Sequence, residues 1–140
     1  MPTETVLFLC TGNSARSQMA EGLLRAKAGD RFDVRSAGTE PAAGLHPLAV
    51  RAMAEIGIEI SRQRPKTVAE ALAGTDGHHL IVVCDGASRA CPTGFHGGIT
   101  RSFWPIEDPA REASLERFRE ARDRLSALIE AWMDERMRAP

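Results

Sequence analysis

Thr5-Val6-Leu7-Phe8-Leu9-Cys10-Thr11-Gly12-Asn13-Ser14-Ala15-Arg16-Ser17 is the stretch from which the rest of the chain can be read. Its opening, Thr5 to Leu9, is a continuous apolar run, the pattern of a strand buried in a parallel sheet. The small residues that follow permit a tight loop, and Gly12 and Asn13 both tolerate positive φ. A helix is predicted from Ser17 to Ala28, with Ala20, Leu23, Leu24 and Lys27 at helical spacing and Gly29 as its stop. A strand, a tight loop and a helix in this order can turn successive backbone N–H groups inward, so residues Thr11, Gly12, Asn13, Ser14, Ala15 and Arg16 form a candidate anion nest. Arg16 fits that reading. A cation in the first turn opposes the helix dipole, but a bound oxyanion reverses the sign, and a guanidinium fork matches tetrahedral oxyanions. Cys10 lies at the floor of this positive field, where the thiolate is favoured, and the Ser17 hydroxyl can donate to it. The plain alternative is a buried apolar cysteine followed by an ordinary helix capped by Ser14. The loop lacks Gly-Lys-Ser/Thr and is not a nucleotide-binding loop of that type.

Outward from this unit, short apolar strands alternate with helical stretches. Phe32 to Ala37 alternates and predicts a second strand. Pro47 to Ile56 predicts a helix with Pro47 in its first turn, Ala49, Met53 and Ile56 on one face, and Gly57 at its end. Thr67 to Ala73 predicts a short helix stopped by Gly74. His79 to Val83 is a third buried strand and Ile99 to Trp104 a short fourth. Leu115, Phe118, Leu125, Ile129 and Trp132 stripe a long final helix, with Glu120/Arg124 and Asp134/Arg138 as i,i+4 pairs on its wet face. Such alternation implies an α/β fold with a mainly parallel sheet and right-handed crossovers. Ligands in such sheets sit beyond the carboxyl ends of the strands. Cys10 and Cys84 each follow a buried strand and Asp108 follows the fourth, so one rim gathers three reactive groups.

The 140 residues are a length for one domain, expected to span 1–140. A chain of this size buries roughly 68–70% of its unfolded surface. Hydrophobic residues make up 43% and charged ones 26%, which excludes wholesale disorder. Eighteen Lys+Arg against nineteen Asp+Glu give a net charge of −1 and argue against nucleic-acid or polybasic membrane partners. No apolar run reaches the ~20 residues of a membrane span. The opening residues lack the basic and apolar regions of a signal peptide. A cytoplasmic monomer is therefore expected.

The three cysteines are an odd number for a disulfide framework in a reducing compartment. Each is inert filler, a metal ligand or a reactive thiol. A zinc site from Cys84, Cys91, His78, His79 and His96 is disfavoured. A Cys-x6-Cys gap is not a common zinc knuckle, and adjacent histidines on a strand point to opposite faces. No metal and no cofactor are expected.

Cys-x5-Arg-Ser directly after the first strand resembles the low-molecular-weight protein tyrosine phosphatase superfamily. Val6 to Glu21, Ser36-Ala37-Gly38-Thr39 and Trp104-Pro105-Ile106-Glu107-Asp108-Pro109 are similar to its thioredoxin-coupled arsenate reductases, and the likeness spans nearly the whole chain. The resemblance implies a four-stranded parallel sheet, order 2-1-3-4, flanked by helices. It implies a thiol relay. Cys10 attacks bound arsenate, Cys84 attacks Cys10 and releases arsenite, and Cys91 attacks Cys84 and carries the disulfide to a thioredoxin or glutaredoxin-type reductant. In that strand order neighbouring strands lie about 4.8 Å apart, within reach of a Cys10–Cys84 bond. A Cys84–Cys91 bond requires the stretch between them to unwind, which Gly86 and Pro92 ease. The resemblance also gives Asp108 a general acid/base role, compatible with an N-cap role before Pro109. A phosphatase using Cys10, Arg16 and Asp108 alone is the rival, and a non-catalytic thiol sensor the rival from another class. The chain has no tyrosine, and so lacks the aromatic Asp-Pro-Tyr-Tyr neighbourhood of many such phosphatases. Asn13, Glu21 and Ser36 match side chains that hold potassium in some relatives. Lys66 stands at the fourth position, so its ammonium is expected to replace the ion. Ala15 stands where some relatives carry another cysteine.

Overall fold

The computed structural model describes residues 3–75, 77–84 and 100–138. The elements run β1 Glu4–Cys10, α1 Arg16–Ala28, β2 Phe32–Gly38, α2 Pro47–Ala54, α3 Val68–Ala71, β3 His79–Val82 and β4 Thr100–Phe103. A 3-10 turn at Pro109–Arg111 and α4 Leu115–Arg138 follow. The strands form a parallel sheet in the order β2-β1-β3-β4, the order the resemblance implies. β1 is central because Val6, Leu7, Phe8 and Leu9 have no exposed surface, and only an interior strand covered on both faces can bury such a run.

Register fixes the working rim. Leu9 pairs with Ala37 on one side and Val82 on the other, and the Val83 N–H reaches the Leu9 carbonyl at 2.9 Å. The chain therefore leaves the sheet at Cys10 and Cys84 on the same carboxyl edge, on neighbouring strands. β4 is shorter than Ile99 to Trp104, ending at Phe103, and Ile99 lies outside the described residues.

α1 and α4 pack on each other, with Met19, Leu23 and Leu24 buried from one and Phe118, Leu125, Ile129 and Trp132 from the other. Gly22 makes room for Ile60: a Cβ there would stand 2.7 Å from Ile60 Cγ2. α2 starts as predicted, with Pro47 in its first turn and the His46 ring nitrogen Nδ1 accepting the Leu48 N–H. It ends earlier. Gly57 N–H bonds to the Ala54 carbonyl and Ile58 N–H to the Met53 carbonyl, the double closure built around a glycine of positive φ. That closure turns Ile56 outward, 44% exposed, so Ala52 rather than Ile56 joins Ala49 and Met53 on the buried face. On α4, Glu120 pairs with Arg117, one turn before it. Among the described residues no helix is long and apolar enough to cross a membrane.

Candidate active site

The loop between β1 and α1 is held by its carbonyls. Cys10 O, Thr11 O, Gly12 O and Ser14 O accept from the backbone N–H groups of Thr39, Glu40, Ala42 and His46 at 2.9–3.2 Å. The Asn13 carbonyl accepts from Gln18 Nε2 at 3.0 Å. A trans peptide sets each carbonyl opposite the next N–H, and no cis bond occurs among the described residues. With the carbonyls of 10–14 all engaged away from the site, the N–H groups of 11–15 turn the other way. The Asn13 N–H shows where they aim, lying 3.2 Å from Cys10 Sγ. Asn13 takes the positive φ that the loop needs, at 51°. Ser14 does not cap α1. The N-cap is Ala15, with no side-chain bond to the helix end, as a helix N-terminus shaped for an external anion requires.

The sulfur is set by a hydrogen-bond series. Asn13 Nδ2 donates to Ser17 Oγ at 2.8 Å and to Ser36 Oγ at 3.0 Å. Ser36 in turn donates to Glu21 Oε1 at 2.5 Å. Ser17 Oγ accepts from Asn13 and lies 2.8 Å from Cys10 Sγ, where it can donate its own hydrogen to a thiolate, which has none to give. Asn13 and Ser17 are fully buried, so the series is shielded from water. Asn13 Oδ1 accepts from Gln18 Nε2 and from the Lys66 N–H. β2 closes against the loop at Gly38, where a Cβ would lie 2.6 Å from Thr11 O and 2.9 Å from Asn13 Cβ. No side chain fits there without moving the loop.

Arg16 is buried and its Nη1 donates to the Ile106 carbonyl at 2.9 Å, tying the loop to the segment after β4. The Asp108 carboxylate divides its oxygens. Oδ1 caps the 3-10 turn through the Ala110 N–H at 3.0 Å, with Pro109 in the first position, and Oδ2 stands 4.0 Å from Arg16 Nη2. The structural role expected of this Asp-Pro pair is therefore present, and it leaves one oxygen facing the cation.

Cys84 is 1% exposed and Cys10 2% exposed, so both sulfurs are buried at this rim. Cys91 lies outside the described residues, as do Gly86, Pro92 and His96. Glu21, Ser36 and Asn13 come together as expected, and Lys66 Nζ stands 3.7 Å from Glu21 Oε1. Arg25 Nη2 holds the other oxygen of Glu21 at 2.6 Å. The zinc alternative meets a different arrangement. His78 Nδ1 accepts the Thr5 N–H, while His79 is wedged between Glu4 and Thr100 at the opposite end of the sheet from Cys84.

Gln18 and the 39–46 segment are the parts that sequence reasoning missed. Gln18 carries a faint signal, a polar side chain in the first turn of a helix whose every neighbour is buried. The 39–46 segment carries none, because it acts through backbone N–H groups alone.

The family described as low molecular weight phosphotyrosine protein phosphatase matches residues 5–139. Arsenate reductase 1 of Staphylococcus epidermidis is 38% identical over 133 residues, 94% of this chain and 97% of that protein. A solved arsenate reductase in the phosphate binding state superposes with a TM-score of 0.83 at 32% identity, over 95% of this chain and 98% of the other. The Corynebacterium glutamicum thioredoxin-dependent arsenate reductase gives 0.70 at 32% identity, over 93% of this chain and 62% of the other.

Proposed function

Because the chain belongs to the low molecular weight phosphotyrosine protein phosphatase family, we propose that it works as an arsenate reductase, the activity named for its relatives. The observation that carries this is the pair of buried cysteines, Cys10 and Cys84, at the carboxyl ends of adjacent parallel strands. A phosphatase has no use for the second thiol. Phosphorus(V) does not accept electrons from sulfur, whereas arsenic(V) accepts two.

Arsenate binds in the nest of Thr11, Gly12, Asn13, Ser14, Ala15 and Arg16. The Cys10 thiolate attacks arsenic, and one oxygen leaves as water with a proton that Asp108 supplies. Cys84 then attacks Cys10 Sγ. The sulfur–arsenic bond breaks, its electron pair stays on arsenic, and arsenite leaves behind a Cys10–Cys84 disulfide. Cys91 attacks Cys84 and frees Cys10. A dithiol carrier of the thioredoxin or glutaredoxin type reduces the Cys84–Cys91 bond. Two thiols are oxidised for each arsenic(V) reduced to arsenic(III). The nest, Cys10, Cys84 and Asp108 all come from one chain, so a monomer of a single domain carries the whole site.

The test is a Cys84→Ser variant. Arsenate-dependent NADPH consumption, coupled through thioredoxin and its reductase, falls to background, while aryl-phosphate hydrolysis by the intact loop persists. Arsenate reduction at the parent rate would overturn the relay. One stoichiometric oxidation of the parent protein without turnover would mark a sensor instead.

A further inference from the structure

Behind the loop, on the side away from the substrate nest, a cavity of about 420 Å³ opens between α1 and the 59–66 segment. Four cationic residues line it, Arg25, Arg62, Arg64 and Lys66, against two carboxylates, Glu21 and Glu59. Both carboxylates are already engaged. Glu21 is held by Arg25 and faces Lys66, and Glu59 Oε1 accepts the Ser61 N–H at 2.8 Å. Arg64 also meets Glu70 at 3.6 Å, so four cations face three carboxylates and the cavity keeps one positive charge in excess. We propose that it is a second anion site, taking a polyphosphate-type anion, and that its occupancy tunes Cys10 from behind.

Lys66 reports the local field. Burial is the first cause pulling its ammonium below the usual lysine range, Arg64 and Arg25 pull the same way, and Glu21 offsets this only in part. An ammonium in that position gains from a further negative charge. Four cationic side chains in one cavity suit an anion that carries several charges, whereas the loop on the other side is already shaped for a single tetrahedral one.

Lys66 and Glu21 stand at the head of the series that ends on the sulfur. Glu21 accepts from Ser36, Ser36 from Asn13, Asn13 also donates to Ser17, and Ser17 contacts Cys10 Sγ. An anion that draws Lys66 away from Glu21 leaves more negative charge at the head of this series and opposes negative charge on Cys10. Lys66 is thus a positioning residue, acting through Glu21. The inference rests on Cys10 being the nucleophile.

The experiment uses a Cys84→Ser/Cys91→Ser protein, in which Cys10 is the sole thiol. Iodoacetamide alkylation is timed against sodium tripolyphosphate at constant ionic strength, without arsenate. The expected result is a saturable slowing of about fivefold, at the low end of couplings between sites. Lys66→Met and Arg62→Ala/Arg64→Ala abolish that slowing, while arsenate still protects Cys10 in each, which shows the loop intact. The proposal is overturned if the slowing is absent, if it survives these substitutions, or if arsenate competes it away and so places the anion in the loop. Failure of arsenate to protect the Cys84→Ser/Cys91→Ser protein would instead sink the assignment of Cys10.

Discussion

Ser17 is placed to donate to the sulfur once Cys10 is a thiolate, which has no hydrogen to give. One amide nitrogen supplies both serine hydroxyls, so each hydroxyl is left with one hydrogen to give, and the one on Ser17 has Cys10 Sγ within reach. A hydrogen bond to a charged partner contributes about 1.5–3 kcal/mol. Ser17→Ala is therefore expected to slow the first arsenate turnover roughly ten- to hundredfold, at 1.4 kcal/mol per tenfold, read in a rapid-quench assay of arsenite release. A parent-like rate at every pH would show that the hydroxyl does not assist the thiolate. At this scale Cys10, Arg16, Ser17 and Asp108 could be read from the sequence because each is a reactive type at a strand end or helix start. Gln18, Gly38 and the Ile106 carbonyl could not. What each does depends on a partner far along the chain, such as Arg64 O for Gln18 and Thr11 O for Gly38.

The helices show the same division. Apolar spacing located α1, α2 and α4, but their ends are set by caps that spacing does not encode. Ile56 has the periodicity of a core residue, yet the glycine closure at Gly57 turns it outward. The end of α2 is also bound to α4 by Glu55, whose carboxylate meets Arg119 at 2.5 Å and Arg122 at 2.9 Å. Arg122 Nη1 further caps the Ala52 carbonyl at 2.8 Å. Hydrogen bonding to Arg119, with Arg122 adding to it, holds Glu55 down at about 2. A carboxyl lowered in the native state stabilises it above the unfolded carboxyl range, and that contribution fades as pH falls toward 2. Glu55→Gln is expected to lower the thermal midpoint at pH 7 and to match the parent near pH 2. An equal loss at both pH values would mean that packing, not charge, links these helices.

Across the whole molecule, the two ends of the sheet are built for different tasks. The carboxyl end carries thiols, amides and Arg16. The opposite end carries a buried imidazole. His79 Nε2 lies 3.2 Å from Glu4 Oε1, which can only accept, so Nδ1 of the neutral ring receives the Thr100 hydroxyl at 2.5 Å. Phe32 and Trp132 stand edge-on to the ring. Burial is the first cause holding His79 below the usual imidazole range, opposed in part by Glu4. Its native state is disfavoured once the unfolded ring begins to bind protons, so stability is full above about pH 6.5 and declines as pH drops through the lowered native value. Urea midpoints of the parent are expected to fall between pH 7 and 5, and those of His79→Gln to stay flatter there. Identical slopes would clear His79 of any role. The parallel sheet followed from strand–helix alternation and its order from the resemblance, whereas this acid-sensitive end did not, because nothing in two adjacent histidines says which of them packs against Phe32 and Trp132.

The tethering of five successive carbonyls has a further result. A cup whose walls are pinned from outside cannot reshape itself around its contents. It fits a tetrahedral, charged species and offers little to the pyramidal, less charged product of two-electron reduction. Expulsion then needs no opening motion of the cup, since the change in the guest's own form ends its hold.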